Sequence, residues 1–152
     1  MPVVIAVSGW RMHRDTDFIR RNLAFQADHL VRLGFELFFR VGDNKGKNGA
    51  PGVDRIAQDW LRETYPTSYQ VYEANWDALG NYAGPDRNKN MLTGTRDPHG
   101  IASLLMAFPE PGVYRYRDSG TWRCCKEAFR LGVRVEVPAY RLEESERQGK
   151  NL

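Results

Sequence analysis

Short apolar runs alternate with helical stretches along this whole chain, and each run leads into a loop rich in glycine or polar turn residues. Residues 3–7 lead into Ser8-Gly9-Trp10-Arg11, and residues 37–41 into Gly42-Asp43. Residues 69–72 lead into Asn75-Trp76, with Ala83-Gly84-Pro85-Asp86-Arg87-Asn88 close behind. Residues 101–108 lead, past a polar loop, into Ser119-Gly120-Thr121. If the runs are parallel strands, all four loops lie on the carboxyl edge of one sheet. Open α/β sheets bind ligands there, in the crevice where strand order reverses. Separate segments then converge on one site without a long motif.

The periodicity supports this alternation. Residues 3–7 are short and apolar, as expected of a strand buried on both faces. Asp15, Thr16 and Asp17 offer helix caps, and Ile19, Leu23, Ala27, Leu30 and Val31 recur at helical spacing until Gly34. A second strand is expected over residues 35–41, then a Gly-, Asn- and Lys-rich loop. Val53, Ile56, Ala57, Trp60 and Leu61 form the stripe of a second helix, closed by Pro66. Residues 69–72 are a third strand, and a third helix starts near Pro85 and runs through Met91. Residues 101–108 are a fourth strand, 121–131 a fourth helix stopped by Gly132, and 133–137 a fifth strand. The order predicts a single Rossmann-like α/β domain over residues 1–140, with a polar tail at 141–152. Its parallel five-stranded sheet has the order 3-2-1-4-5, with right-handed crossovers and helices on both faces.

Composition narrows the function classes. The chain has 152 residues, enough for one cored domain, with 41% hydrophobic and 27% charged residues. No apolar run approaches the roughly 20 residues that span a bilayer. No secretory signal is expected at residues 1–6. The two cysteines are adjacent (Cys124-Cys125), a strained arrangement for a bridge, so the expected compartment is the reducing cytoplasm. His13, His29 and His99 give no metal-ligand spacing with them, and no metal or cofactor is expected. The net charge of +3 is a mild bias. It suits a phosphate-bearing small molecule better than nucleic acid. A homo-oligomer stays open.

The loops supply the candidate ligands. Gly9 lets backbone amides approach a ligand, while Ser8 adds a hydroxyl and Arg11 a planar cation. The sequence lacks GxGxxG, so the usual dinucleotide fingerprint is missing. Gly42-Asp43 and Gly52-Val53-Asp54 bracket the second loop. Asp54 falls in the first turn of helix two, where it is a cap or an acceptor for ribose hydroxyls. Lys45 and Lys47 in that loop read as solvated. Arg87 and Asn88 stand near the start of helix three, with Arg87 placed to hold a phosphate. Asn75 and Trp76 offer an amide and a stacking face, or a packed interior Trp. Ser119-Gly120-Thr121 enters a helix N-terminus, an ordinary cap or an anion site. Cys124 and Cys125 read as structural. No Walker loop, Ser-His-Asp set or paired-acid motif is present.

As a set, these residues resemble the SLOG superfamily, named for its SMF/DprA and Lonely-guy members, and most of all its YspA/YpsA-related branch in bacteria and phages. The pattern is Ser8-Gly9-x-Arg11, Gly42-Asp43…Gly52-Val53-Asp54-x-x-Ala57, Trp76…Ala83-Gly84-Pro85-x-Arg87-Asn88-x-x-Met91, and Phe108-Pro109…Gly120-Thr121. The resemblance covers residues 3–138. It implies a Rossmann-like fold that binds nucleotides or nucleotide-derived signals. Lonely-guy enzymes cut the N-glycosidic bond of modified adenosine monophosphates with an Arg in R-x-x-x-M and a Glu in PGGxGTxxE. Arg87…Met91 matches the first, and Gly120-Thr121 part of the second. Cys124 stands at the Glu position, and a thiol does not replace a carboxylate that stabilises an oxocarbenium-like centre. Asp43, Asp54, Glu110 or Asp118, in or beside two enlarged loops, would then have to supply the acid.

The first expectation is therefore a binding module for a nucleotide-derived ligand. Gly120 and Thr121 would hold phosphate, with Arg87 and Arg11 in support. Asp54 and Asp43 would hold ribose hydroxyls, and Trp76 or Trp10 would stack on a base. The second is a nucleotide N-glycosidase or phosphoribohydrolase using Arg87 and an acid such as Asp54. The third, weaker one is single-stranded DNA binding, which needs a larger basic surface with exposed aromatics.

Overall fold

The computed structural model describes residues 1–114 and 119–139. Five strands alternate with helices: β1 (Val3–Gly9), α1 (Thr16–Arg32), β2 (Leu37–Gly42), α2 (Gly52–Thr64), β3 (Tyr69–Tyr72), α3 (Trp76–Leu79), a 3-10 turn (Gly80–Tyr82), α4 (Ala83–Thr93), β4 (Leu104–Phe108), α5 (Gly120–Arg130) and β5 (Arg134–Glu136). The strands form one sheet in the order β3-β2-β1-β4-β5. All four pairings are parallel, with Ile5 beside Phe39 on one side and Leu104 on the other. The fold is the α/β doubly wound architecture that the alternation implies.

The pleat sorts the core into two layers. Ile5, Val7, Phe39, Val41, Leu104, Met106 and Phe108 face α1 and α2, meeting Ile19, Leu23, Val53, Ala57 and Leu61. Val4, Ala6, Leu105 and Ala107 face the other way, meeting Met91 and Leu92 of α4 and Cys124, Cys125 and Ala128 of α5. Successive residues of β1 are buried on both sides, which is why the run is uniformly apolar. Ser8 continues the alternation onto the α4/α5 side. Order reverses between β1, the start of the chain's winding, and β4, where it resumes in the opposite direction.

Several boundaries differ from the sequence reading. β4 begins at Leu104 rather than 101: Ile101 is 55% exposed, and the Ser103 hydroxyl accepts from Val4 N at 3.0 Å just ahead of the ladder. β2 begins at Leu37 because Phe35 still belongs to the turn after α1, its amide bonded to Leu30 O at 3.1 Å. Val31, placed on the buried stripe of α1, is 49% exposed. A helical turn over Trp76–Leu79, capped by the Asn75 side chain on Ala78 N, was not visible as periodicity because it is one turn long. The tail at 141–152 and the acid Asp118 lie outside the described residues.

Candidate functional site

At the carboxyl end of β2, Gly42 leaves a space that two charged side chains fill. A Cβ there would lie 2.4 Å from Arg87 Nη1 and 2.6 Å from Asp54 Oδ2, so any larger residue would have to displace the ends of both side chains. Asp54 comes from the first turn of α2, Arg87 from the second turn of α4. Helices from opposite faces of the sheet thus meet over one strand end. Their charged atoms are 3.7 Å apart, an ion pair beyond hydrogen-bond distance, and both side chains are largely buried (7% and 15% exposed). Asn44 N donates to Asp54 Oδ2 at 3.2 Å, and Arg87 Nε donates to Asn88 Oδ1 at 3.0 Å. Gln58 Nε2 ties the loop by donating to Gly42 O at 2.8 Å.

Burial pushes the Asp54 carboxyl up to about 6, against the opposing pull of Arg87 and the Asn44 amide; the neighbouring Asp43 charge adds to the rise. The pair is thus incompletely compensated. A carboxyl that titrates near 6 in a crevice is poised to give or take a proton.

Ser8 and Cys124 complete the crevice on the α5 side. The Ser8 hydroxyl hydrogen-bonds the Cys124 sulfur, and that thiol feels the charges of Arg87 and Asp54. Burial pushes Cys124 up to about 12 and Cys125 to about 11. Both are free, buried thiols, inert as nucleophiles near neutral pH. Their structural role agrees with the sequence reading.

At the start of α5, Ser119 is the N-cap, and its hydroxyl accepts from Trp122 N at 3.2 Å. Thr121 is buried and Gly120 exposed. Trp122 N is occupied by its cap, so an anion here would use the amides of Gly120 and Thr121.

Other candidates have packing reasons for their identity. A Cβ on Gly9 would strike Val53 Cγ2 at 2.4 Å, so Gly9 lets α2 approach β1. Gly52 has a positive φ of +74° and sits on the backbone carbonyl of Arg11, whose side chain is exposed. Asp43 is exposed beside the pair, and Asn88 is buried. Trp10 lies edge-on to His13, with ring centroids 5.9 Å apart. Trp76 is 58% exposed and lies over Gly84, 3.5 Å from its would-be Cβ. The crevice therefore gathers Ser8, Gly42, Asp54, Arg87 and Cys124, with Asp43 and Asn88 beside them. Arg11 and Trp76 stand at the surface.

A second buried ion pair was missed from sequence. Arg40, fully buried in β2, donates from Nε and Nη2 to Asp97 at 2.7 and 2.6 Å, and from Nη1 to Met91 O at 3.2 Å. Tyr72 Oη donates to Asp97 Oδ2 at 2.7 Å and accepts from Arg96 N at 3.0 Å. A charge inside the apolar run 37–41 was the available signal, since a strand buried on both faces has no solvent for it. His13 is also buried; its Nδ1 accepts from Asp15 N at 3.2 Å, and desolvation lowers its pKa against the opposing charge of Asp15.

Three of the surface cavities among the described residues lie outside the ion pair. One of about 550 Å³ lies between His13, Phe18, Phe108 and Trp122. One of about 430 Å³ lies between α4 and α5, lined by Asn88, Lys89 and Arg123. One of about 310 Å³ lies on the loop ahead of α2. Asp54 and Arg87 line none of these three: they pack against each other at the strand end. Among the described residues there is no group of three metal-ligating side chains, and no helix is long and apolar enough to cross a membrane.

No family model matches the chain, and no solved structure matches it significantly. The chain is similar to the Gene 61 protein of Mycobacterium phage D29, at 28% identity over 135 residues, covering 86% of this chain and 92% of that protein.

Proposed function

We propose that the chain is a nucleotide-binding module of the SLOG type, which senses or sequesters a phosphate-bearing, nucleotide-derived small molecule at the carboxyl edge of its sheet. The observation that carries this reading is the loosely paired Asp54–Arg87 couple against Gly42. A buried guanidinium with only partial compensation is suited to exchange its partner for phosphate oxygens. Released from Arg87, Asp54 becomes an acceptor for ribose hydroxyls, with Asp43 beside it. The α5 entrance at Gly120 and Thr121 is a second hold on phosphate. Trp10 and Trp76 are the stacking candidates, Trp76 being the more exposed. Two free buried thiols fit a reducing compartment.

The test is calorimetry of the purified protein against a panel of nucleoside monophosphates, with mass spectrometry of any ligand carried through purification. Binding that falls at least tenfold, about 1.4 kcal/mol, in folded Arg87→Ala supports the reading. Equal affinity in the variant removes the crevice from consideration.

One observation favours hydrolysis as a second reading. The Asp54 charge is felt at the Cys124 thiol, and burial lifts the Asp54 carboxyl to about 6. Among the described residues it is thus the candidate acid to stand in for a glutamate at position 124. Released base and ribose phosphate, lost in Asp54→Asn, would identify an N-glycosidase.

A further inference from the structure

The loop between β2 and α2 gathers cations that the sequence alone leaves as scattered, solvated side chains. Lys45, Lys47 and Arg55 line one concavity of about 310 Å³ together with Gly46, Asn48, Gly49, Ala50 and Pro51, none of them acidic. Arg14 joins from the loop ahead of α1, donating to Asn48 O at 3.1 Å. Asp43 is exposed at the β2 end of the loop and is not among the residues that line the concavity. Three other nearby acids are engaged elsewhere. Asp15 caps Phe18 N, Asp59 holds Arg62 at 2.7 Å, and Asp54 is turned inward to Arg87. Among the described residues, Lys45, Lys47 and Arg55 enter no ion pair.

The loop is held in shape. Lys47 and Ala50 bridge across a tight turn with Asn48 and Gly49 at positive φ (53° and 76°). A Cβ on Gly46 would lie 2.1 Å from Ala50 O. Gly46 N bonds Asn44 Oδ1, and Asn44 N bonds Asp54, each at 3.2 Å. The cationic concavity is therefore fixed, through two residues, to the same carboxylate that faces Arg87. A concave, single-sign surface focuses its field on an anion. Its volume is near the small end of ligand sites, which run roughly 300–1,000 Å³.

We propose that Lys45, Lys47 and Arg55, with Arg14 beside them, form a second phosphate subsite that takes the further phosphate groups of a ligand anchored in the crevice. The ligand class is then a nucleotide bearing two or more phosphates rather than a monophosphate. This rests on the crevice reading above, and its test separates the two.

Wild type, Lys45→Ala/Lys47→Ala/Arg55→Ala and Arg87→Ala are titrated by calorimetry at low ionic strength with the mono- and diphosphate of each common nucleoside and with inorganic tripolyphosphate. Circular dichroism confirms that each variant is folded. The expected result is a diphosphate preference of about tenfold or more in wild type. The triple variant loses it while its monophosphate affinity is unchanged. Tripolyphosphate binding should fall with the triple variant, whatever Arg87→Ala does. If no nucleotide binds through Arg87 but tripolyphosphate still needs the three cations, the crevice reading fails and the subsite stands. Equal mono- and diphosphate affinities with no tripolyphosphate binding overturn the subsite, as does a triple variant that binds like wild type. A short single-stranded oligonucleotide that displaces tripolyphosphate where the diphosphates do not also overturns it, in favour of a nucleic-acid contact.

Discussion

Two buried Arg–Asp pairs flank β2, and they are built to opposite standards. Arg40 and Asp97 meet in two hydrogen bonds, and Tyr72 Oη and His99 N also donate to Asp97. Burial alone would raise the Asp97 carboxyl, but the bonds from Arg40 and Tyr72 overcome it and hold the group below its ordinary value. Arg87 and Asp54 stand 3.7 Å apart with one amide in support, and burial wins, lifting Asp54 to about 6. The chemistry is the same and the compensation is not. A complete network fixes structure; an incomplete one leaves binding capacity for something else.

The largest expected difference is in stability. Asp97→Ala strands Arg40 in the core and should cost about 3–5 kcal/mol, read from urea unfolding. Asp54→Asn should not destabilise at all near neutral pH. A comparable loss from both would erase the distinction.

The pH dependences should be opposed. A lowered pKa makes Asp97 stabilising above the unfolded carboxylate range near 4, with that stability lost as pH falls further. A raised pKa makes Asp54 neutral in both states at low pH and a growing cost as pH rises from about 4 through about 6. Asp54→Asn should therefore gain on the order of 2 kcal/mol relative to wild type between pH 4 and 7.5. A flat difference across that range would show that the carboxylate is well paired.

A smaller effect sharpens the comparison from the ligand side. Arg87→Ala should weaken nucleotide binding by about 1.4 kcal/mol or more, whereas Tyr72→Phe, which removes the bonds to Asp97 and from Arg96 N, should leave binding unchanged. Tyr72→Phe should instead cost about 1 kcal/mol of stability. If Tyr72→Phe weakened the ligand as much as Arg87→Ala, α4 would be transmitting both effects.

The strand order was legible because hydrophobic period and glycine placement agreed over the whole chain. Residues 3–7 and the core of the run 101–108 read as buried strands, and Val53, Ile56, Ala57, Trp60 and Leu61 as one helix face. The strand starts at Leu37 and Leu104 were less legible, since exposed Phe35 and Ile101 extend the apolar runs without joining the sheet. Asp54 and Arg87 were legible as candidates but not as partners, because nothing in one dimension says that α2 and α4 meet over Gly42. Arg40 was passed over as part of an apolar run, when its partner Asp97 lies 57 residues away.

Cys124 gives the crevice a built-in clock. Its thiol is fully buried against Ser8 and held protonated, so a maleimide or disulfide reagent reaches it only when α5 lifts from the sheet. The labelling rate therefore counts openings of that helix. Any molecule that bridges α5 to Arg87 slows the count, even one whose identity is unknown when the measurement begins. A library can be screened on that rate alone, with no assay for turnover and no engineered probe.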